Sequence, residues 1–231
     1  TPETSTLSPH GALPISEALA GSRQLDHRRS ILFVFWDAEE LGLLGSKYWT
    51  AHPTIPVEAI DMALNVDMVG RLREDRLVVF GSRTGVGLRH FAVKHNTQLK
   101  RPMALDFNWD LLANSDHYPF FAKDIPVLFL HTGLHGQYHR PGDDADLIAW
   151  SGLEKITRLL VSLAHDAACR SEMPGFRQVA AQESEAYRRK LESRSEEHTS
   201  ELQSLVNLVC RRLPETKKMR FLARGWGTVH A

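Results

Sequence analysis

An unbroken apolar run that ends in a knot of carboxylates constrains this chain more than any other feature. Residues Ile31 to Trp36 read ILFVFW, and Asp37, Glu39 and Glu40 follow at once. A run this rich in β-formers predicts a buried strand. Gly42 and Gly45 come next, and Leu43 to Ala51 predicts a short helix stopped by Pro53. Open α/β sheets bind their ligands outside the carboxyl ends of strands, which is where these acids fall. Glu39 and Glu40 repel each other unless a cation or a shared proton relieves them. The plainer alternative is a solvated acidic turn at the positive end of a helix dipole.

The pattern repeats downstream. Ala59 to Met68 is a second apolar run, carrying Asp67 near its end, with Gly70 and Arg71 behind it. Arg76 to Phe80 predicts a third strand, closed by Gly81. Val86 to Thr97 has helical spacing, with Leu88, Phe91, Ala92 and His95 on one face. Arg101 to Trp109 reads as a loop that holds a short extended piece at Met103 to Phe107. Ser115 to Ala122 predicts a short helix, capped by Ser115 or Asn114. Ile125 to His131 is another buried strand, and Thr132 to Asp146 a long polar loop. Ser151 to Ala168 is an amphipathic helix that opens on a capping-box pattern, Ser151 with Glu154. Strands alternating with helices predict an α/β fold, a three-layer sandwich around a largely parallel, mixed central sheet.

The 231 residues are enough for one sizeable domain. A formal net charge of zero gives no footing for a nucleic-acid or anionic-membrane partner. No apolar run approaches the roughly 20 residues of a membrane span. Cys169 and Cys210 have neither disulfide-framework nor zinc-ribbon spacing.

The two ends read differently from the middle. Thr6 to Ser16 and Arg194 to Ser204 resemble translated sequencing adapters, the first with differences at Pro9 and Gly11. The expected division is therefore 1–16 as an adapter-like end, 17–193 as the biological fragment and 194–231 as an adapter-like tail. His10, His198 and Cys210 fall in those ends and are not counted toward a site.

Glu40, Asp67 and His139 lie at or just beyond the ends of three predicted strands. Carboxylate and imidazole are zinc's usual ligands where thiolate is not used. A zinc-activated water also needs a base in hydrogen-bond reach, and Glu39 is the natural candidate.

The segments WDAEELGLLGS, NVDMVGR and TGLHGQYHRPGDDAD, in that order, resemble the co-catalytic di-zinc aminopeptidases and their glutamate-carboxypeptidase relatives. The resemblance runs from Ile31 to about Ala168. It implies a zinc-exopeptidase-like fold, two zincs per site and a peptide substrate. It implies Glu39 as general base, Glu40 and His139 as ligands of one zinc, and Asp67 as ligand of the other. It implies that Tyr138 steadies the tetrahedral oxyanion and that Asp116, in SDHYPF, lies near bound substrate. For Asp67 the alternative is a turn cap, and for Tyr138 a packing aromatic. His131 and His135 are polar neighbours of the site or support its ligands, and Asp143 and Asp144 orient a ligand or cap the following helix. The family also carries an upstream His-x-Asp segment and a Gly-rich segment with a bridging aspartate, and no His-x-Asp precedes Ile31 here. The expectation is an incomplete catalytic domain from a zinc exopeptidase, weak in zinc binding and nearly inactive, whose parent works outside the cytoplasm. Two rivals stand: a glutaminyl-cyclase-like single-zinc transferase and a non-catalytic binding relative.

Overall fold

The computed structural model describes residues 29–190 and 192–193. The adapter-like ends lie outside these residues. The first compact unit ends at Ser184, and the described residues of the second, beginning at Glu185, are helical.

Four strands form one sheet in the order β1-β4-β2-β3: β1 Ala63–Val66, β2 Arg76–Phe80, β3 Ala104–Asn108 and β4 Val127–His131. β1 pairs with β4 and β2 with β3 in parallel, while β2 and β4 are antiparallel, with Val79 opposite Leu130. The helices are α1 Leu44–Ala51, α2 Leu88–Thr97, α3 Tyr118–Phe121 and α4 Trp150–Cys169. Short 3-10 turns at Val57–Ala59 and Ala145–Leu147 lead into β1 and α4.

The sequence explains the layering. Side chains alternate across a strand, so β4 offers Leu128 and Leu130 to one face and Val127 and Phe129 to the other. The first face packs with Leu77 and Val79 against α2 and α4, through Leu88, Phe91, Ile156, Leu159 and Leu163. On the second, Val127 packs with Phe120 and Phe121 of α3, joined by Trp36 and Trp49. Phe129 stacks on Phe80 at 5.1 Å and on His117 at 4.7 Å. Gly81 closes β2 with φ at 77°, and a Cβ there would meet the Val127 carbonyl oxygen at 2.3 Å. Only glycine fits that approach.

The predicted strand at Ile31 to Trp36 is not formed. Its backbone joins no ladder among the described residues, and Leu32 and Phe35 are 54% and 65% exposed. Only its ends are tied down. Ile31 packs beside Ala164, and Trp36 meets Trp49 at 5.9 Å and Phe120 at 5.8 Å. An apolar run becomes a buried strand only where a partner strand satisfies its backbone and another layer covers its side chains.

The capping box does not form either. Ser151 falls inside α4, whose cap position is Ala149 with no side-chain bond, and Ala149 N–H donates to the Gly70 carbonyl at 2.8 Å. Glu154 pairs instead with Arg158 one turn on. Ser115 does not cap α3, which begins at Tyr118. Among the described residues no helix is long and apolar enough to cross a membrane.

Two outcomes follow. Leu159→Ala empties a fully buried site and lowers unfolding free energy by about 2–5 kcal/mol, whereas Phe35→Ala changes it by less than about 1 kcal/mol; urea unfolding of both variants checks the contrast. His117 is buried, neither ring nitrogen has a hydrogen-bond partner among the described residues, and burial pushes its imidazole down to about 4. The unfolded chain therefore takes up a proton below about pH 6.5 that the folded chain refuses until about pH 4. Stability falls across that window by on the order of 3 kcal/mol, and His117→Phe flattens the fall in a pH series of unfolding curves.

Candidate metal centre

The first acidic motif is held by its own backbone. Gly42 and Leu43 N–H groups both return to the Glu39 carbonyl, at 2.9 and 2.8 Å, and Leu44 N–H returns to Ala38 at 3.2 Å. The Asp37 carboxylate accepts from Ala38 N–H at 2.8 Å. Ala38, Gly42 and Leu43 all take positive φ, so the chain coils tightly before α1 starts. Gly45 is required here, because a Cβ would lie 2.5 Å from the Asp37 carbonyl oxygen. Glu39 and Glu40 ride on this coil at the mouth of α1.

The second and third motifs arrive at the same end of the sheet. β1 and β4 run parallel, so Asp67, just past β1, and His131, ending β4, emerge side by side. Thr132 N–H donates to Met68 at 3.3 Å, and Arg73 donates to the Leu134 carbonyl at 2.7 Å, pinning the start of the polar loop. Arg71 forms an ion pair with Asp143 near the loop's far end. That hydrogen bond holds the Asp143 carboxyl below its ordinary range. The loop so pinned carries Tyr138 and His139.

Glu40 and His139, 99 residues apart in sequence, meet at 2.7 Å between Oε1 and Nε2. The Tyr138 ring stacks on the His139 ring with centroids 3.8 Å apart. Burial pushes the Glu39 carboxyl above its usual range, the charges of Glu40, Asp67 and Asp116 push it further, and His139 opposes them. Tyr138 is likewise raised, by burial and then by Glu40, Glu39 and Asp67. Glu40 and His139 are thus paired, and Asp67 is near enough to Glu39 and Asp116 for its charge to add to the rise of both. That donor set suits a dication. No group of three His, Cys, Asp or Glu residues is gathered closely enough to hold a metal among the described residues.

Asp67 stands apart from the Glu40–His139 pair in its bonding. Its Oδ2 accepts from Ser115 Oγ at 3.0 Å, and that hydroxyl accepts from Asn65 at 2.8 Å. Asp116 is 8% exposed and accepts a hydrogen bond from Ser46 of α1. Burial raises its carboxyl, against that bond, and Asp67 raises it further. His131 accepts from Gly133 N–H at its Nδ1, 2.7 Å away, which leaves its proton on Nε2, 3.3 Å from the Met68 sulfur. Burial pushes this imidazole down. His135 lies 3.6 Å from Asp143.

Sequence reasoning missed Ser46, Asn65, Ser115 and Arg73, which fix the acids and the loop. Arg71 was visible only as a residue trailing Asp67. Ser46, Asn65 and Ser115 lie inside the segments that carry the family resemblance, but their partners are far along the chain, so their roles show only in the fold.

Against known proteins, the profile described as peptidase family M28 matches residues 10–164, a match that begins inside the adapter-like end. Leupeptin-inactivating enzyme 1 of Streptomyces exfoliatus is 33% identical over 124 residues, which are 53% of this chain and 27% of that protein. The Legionella pneumophila LapA aminopeptidase superposes with a TM-score of 0.62 at 22% identity, over 70% of this chain and 45% of that one. BSAP, a zinc aminopeptidase from Bacillus subtilis, superposes with a TM-score of 0.60 at 21% identity, over 73% and 43%. The chain thus spans less than half the length of each of these proteins. The two superpositions carry the α/β fold, and the profile carries the family. A profile matched from before the acidic turn to within α4 admits one reading of kinship: the chain belongs to peptidase family M28.

Proposed function

We propose that this chain contributes part of the active site of a zinc-dependent aminopeptidase, which hydrolyses the amino-terminal bond of a peptide. The observation that carries the reading is the meeting of Glu40 and His139 at 2.7 Å beside Glu39, in a chain of a peptidase family. Glu40 and His139 would hold one zinc, and Asp67 a second. When bound, the metal supplies Lewis-acid polarisation and lowers the pKa of water.

The chain's own residues do the rest. Glu39, its carboxyl raised by burial and like charges, takes the proton of the attacking water and returns it to the leaving amine. Tyr138, kept protonated by the same acids, donates its O–H to the oxyanion that develops at the carbonyl. Such a donor lowers the barrier by about 2–4 kcal/mol. Asp116, buried and bonded to Ser46, would face bound substrate near the acids whose charge it shares. Three of the five ligands that the family resemblance implies are in hand, so this chain alone binds zinc weakly and turns over little. The leupeptin-inactivating relative and the aminopeptidase neighbours support a peptide substrate.

The test has two arms. Calorimetric zinc titration of this chain gives weak binding that His139→Ala lowers by about tenfold or more. Glu39→Gln, placed in a full-length relative of this chain, cuts kcat on an aminoacyl anilide by about 10²–10⁴-fold while leaving zinc bound. Unchanged turnover in that variant rules out Glu39 as the base. Unchanged zinc affinity in His139→Ala rules out the ligand pair.

A further inference from the structure

A second polar centre lies on the opposite edge of the sheet. β2 runs antiparallel to β4, so Gly81, just past its end, packs beside Val127 at the start of β4. Thr84 Oγ1 locks this corner, donating to the Val127 carbonyl at 3.0 Å and accepting from Val127 N–H at 2.8 Å. The loop GSRTGVG, residues 81–87, then opens α2. Against it lies an open-sided cavity of about 310 Å³, lined by Ser82, Arg83, Gly87, Arg89 and Arg177 among others. Asp67, Glu40 and His139 are not part of it.

Three independent features mark this cavity. The cap of α2 is Gly87, in left-handed conformation, with no side-chain bond and no acid in the first turn. The N–H groups of Arg89 and His90 reach no acceptor among the described residues. These are the donors that a capping side chain ordinarily satisfies. The charge is unbalanced as well. Arg83 and Arg177 share Glu183, at 3.0 and 2.8 Å, while Arg89 rests over the Phe107 ring at 4.7 Å and has no acidic partner among the described residues. Finally, Ser82 is 4% exposed, and its Oγ has no hydrogen-bond partner among the described residues. A buried hydroxyl left so is costly, and no described residue accepts from it.

We propose that this cavity binds a tetrahedral oxyanion, phosphate or sulfate, independently of the metal centre. The anion accepts from the free N–H groups of α2, from the Arg89 guanidinium and from Ser82 Oγ. Helix N-termini with open N–H groups are suited to such anions, and guanidinium adds paired donors. Three kinds of donor, backbone N–H, guanidinium and hydroxyl, suit the several oxygens of such an ion. The ion is either free or the phosphoryl end of a larger molecule.

The full chain, kept in EDTA so that no metal holds phosphate, is titrated calorimetrically with inorganic phosphate and, in parallel, with glycerol 3-phosphate. Sodium chloride at matched ionic strength is the control. Phosphate binds and chloride at equal ionic strength does not; Arg89→Gln weakens binding by about tenfold or more, and Arg89→Lys restores part of it. Ser82→Ala weakens it by about threefold or more. Arg89 is on the exposed face of α2, so its substitution leaves the core intact, and circular dichroism of the variant checks this. Tighter binding of the ester identifies a phosphoryl group on a larger molecule, and equal or weaker binding a free ion. No phosphate binding above the chloride control overturns the proposal. So does binding that survives both Arg89→Gln and Ser82→Ala, since the anion then sits elsewhere.

Discussion

The central strand β4 has to satisfy two faces and two edges at once, and the rest of the molecule depends on that. Val127 through Leu130 are buried, and the strand is hydrogen-bonded to β1 on one side and β2 on the other. Its apolar residues alternate between two different partner layers. A one-residue slip would exchange those layers, so burial on both faces fixes the register. Register in turn fixes where the strand ends emerge. With β1 and β4 locked Val66 to Leu130, Asp67 and the loop after His131 leave the sheet together. The Glu40–His139 meeting rests on that shared exit.

Polar contacts between distant segments then bring the motifs into one space, and they are not equal in weight. Ser46 to Asp116 is buried, so losing the hydroxyl leaves a carboxylate desolvated without its donor, which is the costly way to lose a hydrogen bond. Ser115 to Asp67 is partly buried and carries Asn65 behind it. Arg71 to Asp143 lies nearer the solvent, where ion pairs stabilise little, so it positions the loop more than it holds the fold. The acidic turn needs less outside help. Its hydrogen bonds are local, and Gly45 lets the coil close on Asp37.

Much of this was readable in the residues, for a physical reason. Burial of β2, β4 and α4 is written in apolar periodicity, and each element falls within two residues of its expected bounds. That Glu40 and His139 meet was legible only through the family resemblance of the segments that carry them, since either residue alone reads as an ordinary loop acid or imidazole. What failed depends on information that a local stretch lacks. Ile31 to Phe35 has the composition of a buried strand but not a ladder among the described residues. Ser151 and Glu154 spell a capping box, yet a backbone bond from Ala149 to Gly70 starts α4 one position earlier. Ser46 and Ser115 are ordinary serines until their acids, 70 and 48 residues away, are seen beside them.

The mixed sheet has a further consequence for electrostatics. In a wholly parallel sheet all carboxyl ends share one edge, and ligand binding concentrates there. Here β1 and β4 point one way while β2 and β3 point the other, so two edges carry strand ends followed by irregular chain. One edge collects Glu39, Glu40 and Asp67; the other collects Arg83, Arg89 and Arg177 around an uncapped helix. A net charge of zero hides this separation, because the totals cancel while the edges do not. Each edge offers what the other repels: cations have their well at the carboxylates, and anions at the start of α2. The antiparallel pairing of β2 with β4 keeps the two wells at opposite ends of the strands, where neither neutralises the other.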